Sequence, residues 1–190
     1  MKAVDPAMQR KSRLKLLLVA SVFAAPFVAA MVLVLAGWQP AAKGNGLPIT
    51  PQRNFAHEQL PVRMADGGMW AWRDSRPRLT LVALPGPDCA ARCYAGLTAM
   101  AKSRVMLNGN QSRLRLLYVG TPPADPRRRA GMANYWQIGQ DTDGKLAQWR
   151  PRQADSVGAL LVESDGTALA SYPAGFDASG LLRDLKRVIK

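Results

Sequence analysis

Residues 16–38 read LLLVASVFAAPFVAAMVLVLAGW, an unbroken stretch without a charged side chain. A run of this length spans a hydrocarbon core as one helix, with Trp38 suited to an interface. Pro26 would kink a soluble helix but is tolerated in a membrane span. A cleaved signal peptide is the rival reading, because Ala-rich triplets follow Phe27. Its apolar core would be about 7–15 residues long, shorter than this run, so a permanent anchor is expected. The chain then divides into a cytoplasmic N-terminus (1–15), a transmembrane helix (16–38), a linker (39–60) and one folded domain (61–190).

Charge sets the expected orientation. Lys2, Arg10, Lys11, Arg13 and Lys15 precede the apolar run, and only Lys43 follows it closely. Positive residues stay inside, so the N-terminus is expected in the cytoplasm and everything after Trp38 outside. Arg far outnumbers Lys, which suits a GC-rich bacterial genome and makes the outer face the periplasm of an inner-membrane protein. The net charge is +13, of which the N-terminal segment supplies +4 (five basic residues less Asp5) and the remainder +9. A basic domain outside the membrane meets no nucleic acid. Anionic headgroups, an acidic protein partner or a plain solvated surface are the physical options.

Along the exported part, 40–61 is rich in Pro, Gly, Asn and Gln without periodicity, as a linker would be. Residues 62–65, Asp66-Gly67-Gly68 and 69–72 read as a hairpin. The apolar run 79–84 (LTLVAL) suits a central strand buried on both faces. Asp88 is a candidate N-cap for a helix to about Leu107, which Asn108-Gly109-Asn110 stops. A strand follows over 114–119. Asp125-Pro126 then opens a helix towards Trp136, and 141–149 reads as a short helix. Residues 159–163, Asp165-Gly166 and 169–172 form a second hairpin. Leu181, Leu182, Leu185, Val188 and Ile189 recur at helical spacing, with Lys186 and Arg187 suited to that helix's C-terminal end. Strands alternating with helices, closed by a hairpin and a helix, describe an α/β sandwich of thioredoxin type.

The only two cysteines, Cys89 and Cys93, follow the buried strand in GPDCAARCYAGL. Positions i and i+4 share a helix face, and a helix N-terminus favours thiolate, the form that acts both as nucleophile and as ligand. In an oxidising compartment the pair can rest as a disulfide. A bridge over so short a loop restricts the unfolded chain little, so stability alone explains it poorly. A redox pair and a pair of ligands for soft Cu(I) both remain open.

At this point the chain resembles the Sco/SenC family. The strand, LPGPDCAARC and the following helix occupy the place of that family's F-G-Y-T-x-C-P-x-x-C segment. The anchor, the first hairpin and LLVESDGTALASYP with the last helix also match, most of all in the divergent transmembrane proteins found among bacterial oxidase assembly factors. The resemblance implies a membrane-anchored thioredoxin fold and copper delivery to, or thiol maintenance of, the CuA site. It implies cytochrome c oxidase subunits or other assembly factors as partners, and Cys89 and Cys93 as Cu(I) ligands or redox pair.

Two departures stand out. Ala90 replaces the family's proline, although the cysteine spacing is kept. The loop that carries the family's third copper ligand, a histidine, here reads RQADSVG (152–158), with Asp155 or Ser156 near that position. Both offer hard oxygen, poorly matched to Cu(I). The only histidine, His57, falls in the expected linker as an exposed bystander. A thioredoxin-like oxidoreductase of another pathway and a non-catalytic docking subunit are the alternative functions. Arg127-Arg128-Arg129 reads as a solvated helix face, and Trp70, Trp72, Trp136 and Trp149 as core or edge residues. Without a histidine in the domain, no Ser/His/Asp triad can be built.

Overall fold

The structure, a computed structural model, describes residues 6–35 and 44–189. It divides between Lys43 and Gly44 into two units. The first holds one helix, α1 (Pro6–Leu35), with Pro at its first position and Pro26 inside. Pro is well placed at a helix start, where its missing N–H would be unpaired anyway. The helix starts ten residues before the expected span and so includes four basic positions at its beginning. Among the described residues no helix is long and apolar enough to cross a membrane. The last three residues of the expected span, including Trp38, lie outside the described residues. Leu16, Leu18, Val22, Phe27, Val28 and Val32 are exposed, and at 100° per residue they place apolar side chains all round α1.

The second unit is a seven-stranded mixed sheet in the order β1-β7-β6-β3-β4-β5-β2. Its strands are β1 (Leu47–Asn54), β2 (Val62–Met64), β3 (Leu79–Pro85), β4 (Leu114–Val119), β5 (Gln137–Asp141), β6 (Val157–Val162) and β7 (Thr167–Tyr172). Its helices are α2 (Ala91–Val105), α3 (Pro126–Ala133) and α4 (Ala178–Val188). β3 runs parallel to β4 and antiparallel to β6. Every residue of β3 is buried, as expected for a central strand covered on both faces. A parallel pair needs a crossover, and α2 supplies it between β3 and β4. On one face α2 and α4 pack over Leu81, Ala83, Leu116 and Leu161. On the other, Phe55, Trp72 and Leu146 cover Val82, Leu84, Leu117 and Leu160.

Three expectations are corrected here. The stretch expected as linker (39–60) carries β1, an edge strand paired antiparallel with β7 with a register shift between Pro48 and Arg53. An edge position explains how a strand tolerates Pro48 and Pro51, since their missing N–H groups are not needed inward. A buried carboxylate holds the start of this strand. Asp184 of α4 accepts hydrogen bonds from Asn45 N (2.6 Å), Asn45 Nδ2 (2.9 Å), Gly46 N (3.1 Å) and Tyr172 Oη (3.1 Å). The hairpin expected over 62–72 is present but short: Met64 N donates to Gly68 O and Trp70 N to Val62 O, each at 2.8 Å, around a single bridge from Arg63 to Met69, and β2 pairs with β5 on its other edge. The short helix expected over 141–149 is preceded by β5, which was not foreseen, and shrinks to one 3-10 turn, Ala147–Trp149. QIGQD is neither apolar nor β-branched enough to announce a strand; its neighbours β4 and β2 impose the conformation.

Candidate functional site

β3 ends at Pro85, the chain turns through Gly86–Ala90, and α2 begins at Ala91. Cys89 therefore lies just outside the helix and Cys93 in its first turn. They form a disulfide with a Cα–Cα distance of 5.1 Å. Cys93 is completely buried in the core beneath α2, whereas Cys89 is half-buried at the surface. An incoming thiolate meets Cys89 first, and Cys93 is the leaving sulfur.

The expected N-cap, Asp88, does not cap α2. It adopts a positive φ of 56°, and Ala90 occupies the cap position without a side-chain acceptor. The cap arrives from 65 residues away. Asp155 Oδ1 accepts from the backbone N–H of Ala90 (2.8 Å) and Cys93 (3.0 Å), and Oδ2 accepts from Arg92 N–H (3.0 Å). Arg92 Nε adds an ion pair at 3.5 Å. These donors, the Cys93 N–H foremost, hold the Asp155 carboxyl below the ordinary carboxylate range. Anions are favoured at a helix N-terminus for the same reason.

The two loops are stitched together by backbone as well. Asp155 N donates to the carbonyls of Pro87 (2.9 Å) and Asp88 (3.0 Å), and Gly86 N donates to Ser156 O (2.9 Å). The approach is so close that a Cβ on Gly86 would stand 2.3 Å from Gln153 O. The loop before β6 thus lies beside the cysteine pair, where the resemblance to Sco proteins placed it. Sequence reasoning singled out Asp155 as a poor metal ligand and missed its part as a helix cap. No local spacing signals a cap that comes from another loop.

The residues present do not fit the three-ligand copper site implied by that resemblance. Both oxygens of Asp155 are engaged by helix N–H groups, and Ser156 Oγ donates to Gln153 O at 2.5 Å. His57 sits on the turn after β1 with Nε2 2.9 Å from Arg73 Nη2, and it lines neither cleft beside the disulfide. Among the described residues no group of three His, Cys, Asp or Glu side chains is placed to hold a metal ion. Two soft sulfurs are what remains, and they are bonded to each other.

A mixed sheet whose central strand delivers a cysteine pair to the start of a packed helix defines the thioredoxin-like α/β class. The family model described as transmembrane-like, thioredoxin-like, C-terminal domain matches residues 79–190. The chain belongs to that family. Among solved structures it is similar to apo Sco1 from Thermus thermophilus, with 12% identity over 79% of this chain and 99% of that one and a TM-score of 0.53. It is also similar to copper-bound ScoI from Arabidopsis thaliana, with 11% identity over 68% and 95% and a TM-score of 0.50. A thioredoxin-like protein from Aeropyrum pernix shares 13% identity over 69% and 91%, with a TM-score of 0.48. At these identities the likeness is one of fold. No curated protein matches the sequence.

Proposed function

We propose that this chain is a membrane-anchored accessory protein of cytochrome c oxidase maturation that works by thiol–disulfide exchange, keeping the CuA-site cysteines reduced from outside the cytoplasm. The observation that carries the exchange chemistry is the asymmetry of the pair. Cys89 is reachable, its bridge partner Cys93 is buried, and both stand at the start of α2. In the reduced form, the Cys89 thiolate attacks a disulfide of the oxidase subunit and forms a mixed disulfide. Cys93 then attacks Cys89, releasing the subunit's dithiol and leaving the Cys89–Cys93 bridge. A dithiol donor restores the pair.

Exchange is supported over copper delivery by the engaged carboxylate of Asp155, which with Ser156 falls near where the resemblance puts the family's third ligand. The oxidase connection rests on the resemblance of the cysteine segment and its flanking elements to Sco proteins. The membrane anchor rests on the charge-free run 16–38 and on the exposed apolar side chains of α1, and the basic residues before that run favour an outer location for the folded unit. Deletion of the gene should lower oxidase activity and leave CuA-site cysteines oxidised. Wild type should restore both, and Cys89→Ser should restore neither. Full rescue by a Cys89→Ser, Cys93→Ser double variant would refute the exchange reading in favour of a docking subunit.

A further inference from the structure

A cleft of about 430 Å³ opens directly beside Cys89. One wall is the Pro85–Ala90 turn and the other the 121–124 loop, and Arg150 closes it. Both walls are held. Tyr118 Oη donates to Thr121 O at 2.7 Å, and Arg129 Nε and Nη2 each lie 3.3 Å from Pro123 O. Arg150 stands against the chain at Gly120, where a Cβ would be 3.2 Å from Nη1. Among the described residues its guanidinium has no hydrogen bond or ion pair.

Apart from Asp88, the acidic side chains around the cleft are committed. Asp155 is taken by the start of α2. Asp125 caps α3 through Arg127 N at 2.8 Å and pairs with Arg128 at 3.6 Å. Arg128 also lies over the Tyr94 ring, 5.9 Å from its centroid. Asp88 is exposed at the mouth of the cleft. Tyr118 remains a neutral phenol, because burial pushes its pKa up to about 12 against the opposing pull of Arg150. A half-buried guanidinium without a partner, in a cleft shared with the reachable sulfur of a disulfide, is a preformed seat for a carboxylate.

We propose that this cleft receives an extended segment of a dithiol-bearing partner protein whose attacking cysteine is flanked by an acidic residue, with Arg150 holding that carboxylate. This rests on the exchange reading above and names the donor that restores the pair. One thiolate of the donor attacks Cys89 Sγ, the Cys89–Cys93 bond breaks, and Cys93 leaves as a thiolate that takes up a proton. The donor's second thiol loses its proton and attacks the mixed disulfide, freeing Cys89. The donor is oxidised by two electrons and the cysteine pair is reduced by two. Arg150 takes no part in bond making and acts by positioning.

The test uses the full chain in detergent micelles and two synthetic dithiol peptides that differ only by Glu or Gln beside the first cysteine. Wild type should react about tenfold faster with the Glu peptide, and the preference should fall as salt is raised. Arg150→Gln should remove the preference, reacting at equal rates with the two peptides, and Arg150→Lys should keep part of it. A copy of the Glu peptide with both cysteines replaced by Ser should bind wild type more tightly than Arg150→Gln, which reads the cleft without any exchange. Equal rates for both peptides, or an unchanged preference in Arg150→Gln, would overturn the proposal and leave the exchange reading intact. An Arg150-dependent preference shown only by glutathione would also overturn it, by assigning the cleft to a small thiol. A disulfide inert to both peptides, with Arg150-dependent binding of the Ser copy preserved, would instead overturn the exchange reading and with it the donor role.

Discussion

Gly86→Ala should damage both stability and site, because Gly86 is where two loops meet with no room for a side chain. A Cβ there would stand 2.3 Å from Gln153 O, 2.9 Å from Pro151 O and 2.9 Å from Ser156 Oγ. Two of these are backbone atoms and cannot swing away, so the 151–156 loop must move. Overpacking of this kind costs about 1–3 kcal/mol. Moving the loop also strains the hydrogen bonds Gly86 N to Ser156 O and Asp155 N to Pro87 O, worth about 0.5–1.5 kcal/mol each. The total is about 2–6 kcal/mol. With a urea m-value of about 2 kcal/mol/M, the midpoint should fall by roughly 1–3 M. The assay is urea unfolding of the full chain in mild detergent, followed through the buried Trp70, Trp72 and Trp136. Gly109→Ala is the control, since a Cβ there meets nothing within 4 Å; it should change stability by less than about 1 kcal/mol. Because the same loop carries Asp155 to the start of α2, Gly86→Ala should also speed reduction of the Cys89–Cys93 bridge by dithiothreitol below the unfolding midpoint. A midpoint within 0.3 M of wild type would refute the reasoning, by showing that the loops part without cost.

Burial pushes the Asp184 carboxyl up, but its donors from Asn45, Gly46 and Tyr172 outweigh this and hold it below the ordinary range. Its contribution is therefore present above about pH 4 and lost as pH falls through the lowered value. Asp184→Asn should cost about 2 kcal/mol at pH 7, and its stability should converge on wild type towards pH 2; a gap constant with pH would contradict the assignment. If α1 spans the membrane with its N-terminus inside, an impermeant thiol reagent applied after mild reduction should label Cys89 in intact spheroplasts. Labelling only after lysis would reverse the topology. Asp155→His should not create a copper site, because it removes the cap of α2 while supplying one imidazole. Thiolate-to-Cu(II) absorption in that variant, absent from Asp155→Asn, would restore the copper reading.

Several elements were legible because their cause is local. The run 79–84 has no charged residue and Thr80 as its one hydroxyl, so neither face can be turned outward to water, and β3 is a strand buried on both faces. Asp125-Pro126 carries its own cap and first-position proline, and α3 starts there. In the second hairpin, Asp165 Oδ1 accepts from Thr167 N at 2.7 Å two residues on, next to Gly166 at a φ of 95°. The cysteine pair was legible as a pair from its spacing alone.

Pairing and capping at a distance were decided by the tertiary structure. Residues 47–54 hold two prolines and no alternation, and they become β1 only because β7 offers a free edge and Asp184 anchors Asn45 and Gly46. Residues 137–141 become β5 because β4 and β2 flank them. At the site, the sequence offered Asp88 as the cap, but the chain turns there with a positive φ and Asp155 takes the helix N–H groups instead. That choice fixes which sulfur is reachable and which carboxylate is spent. It depends on the distance between two loops, and a linear pattern of residue types carries no measure of that distance.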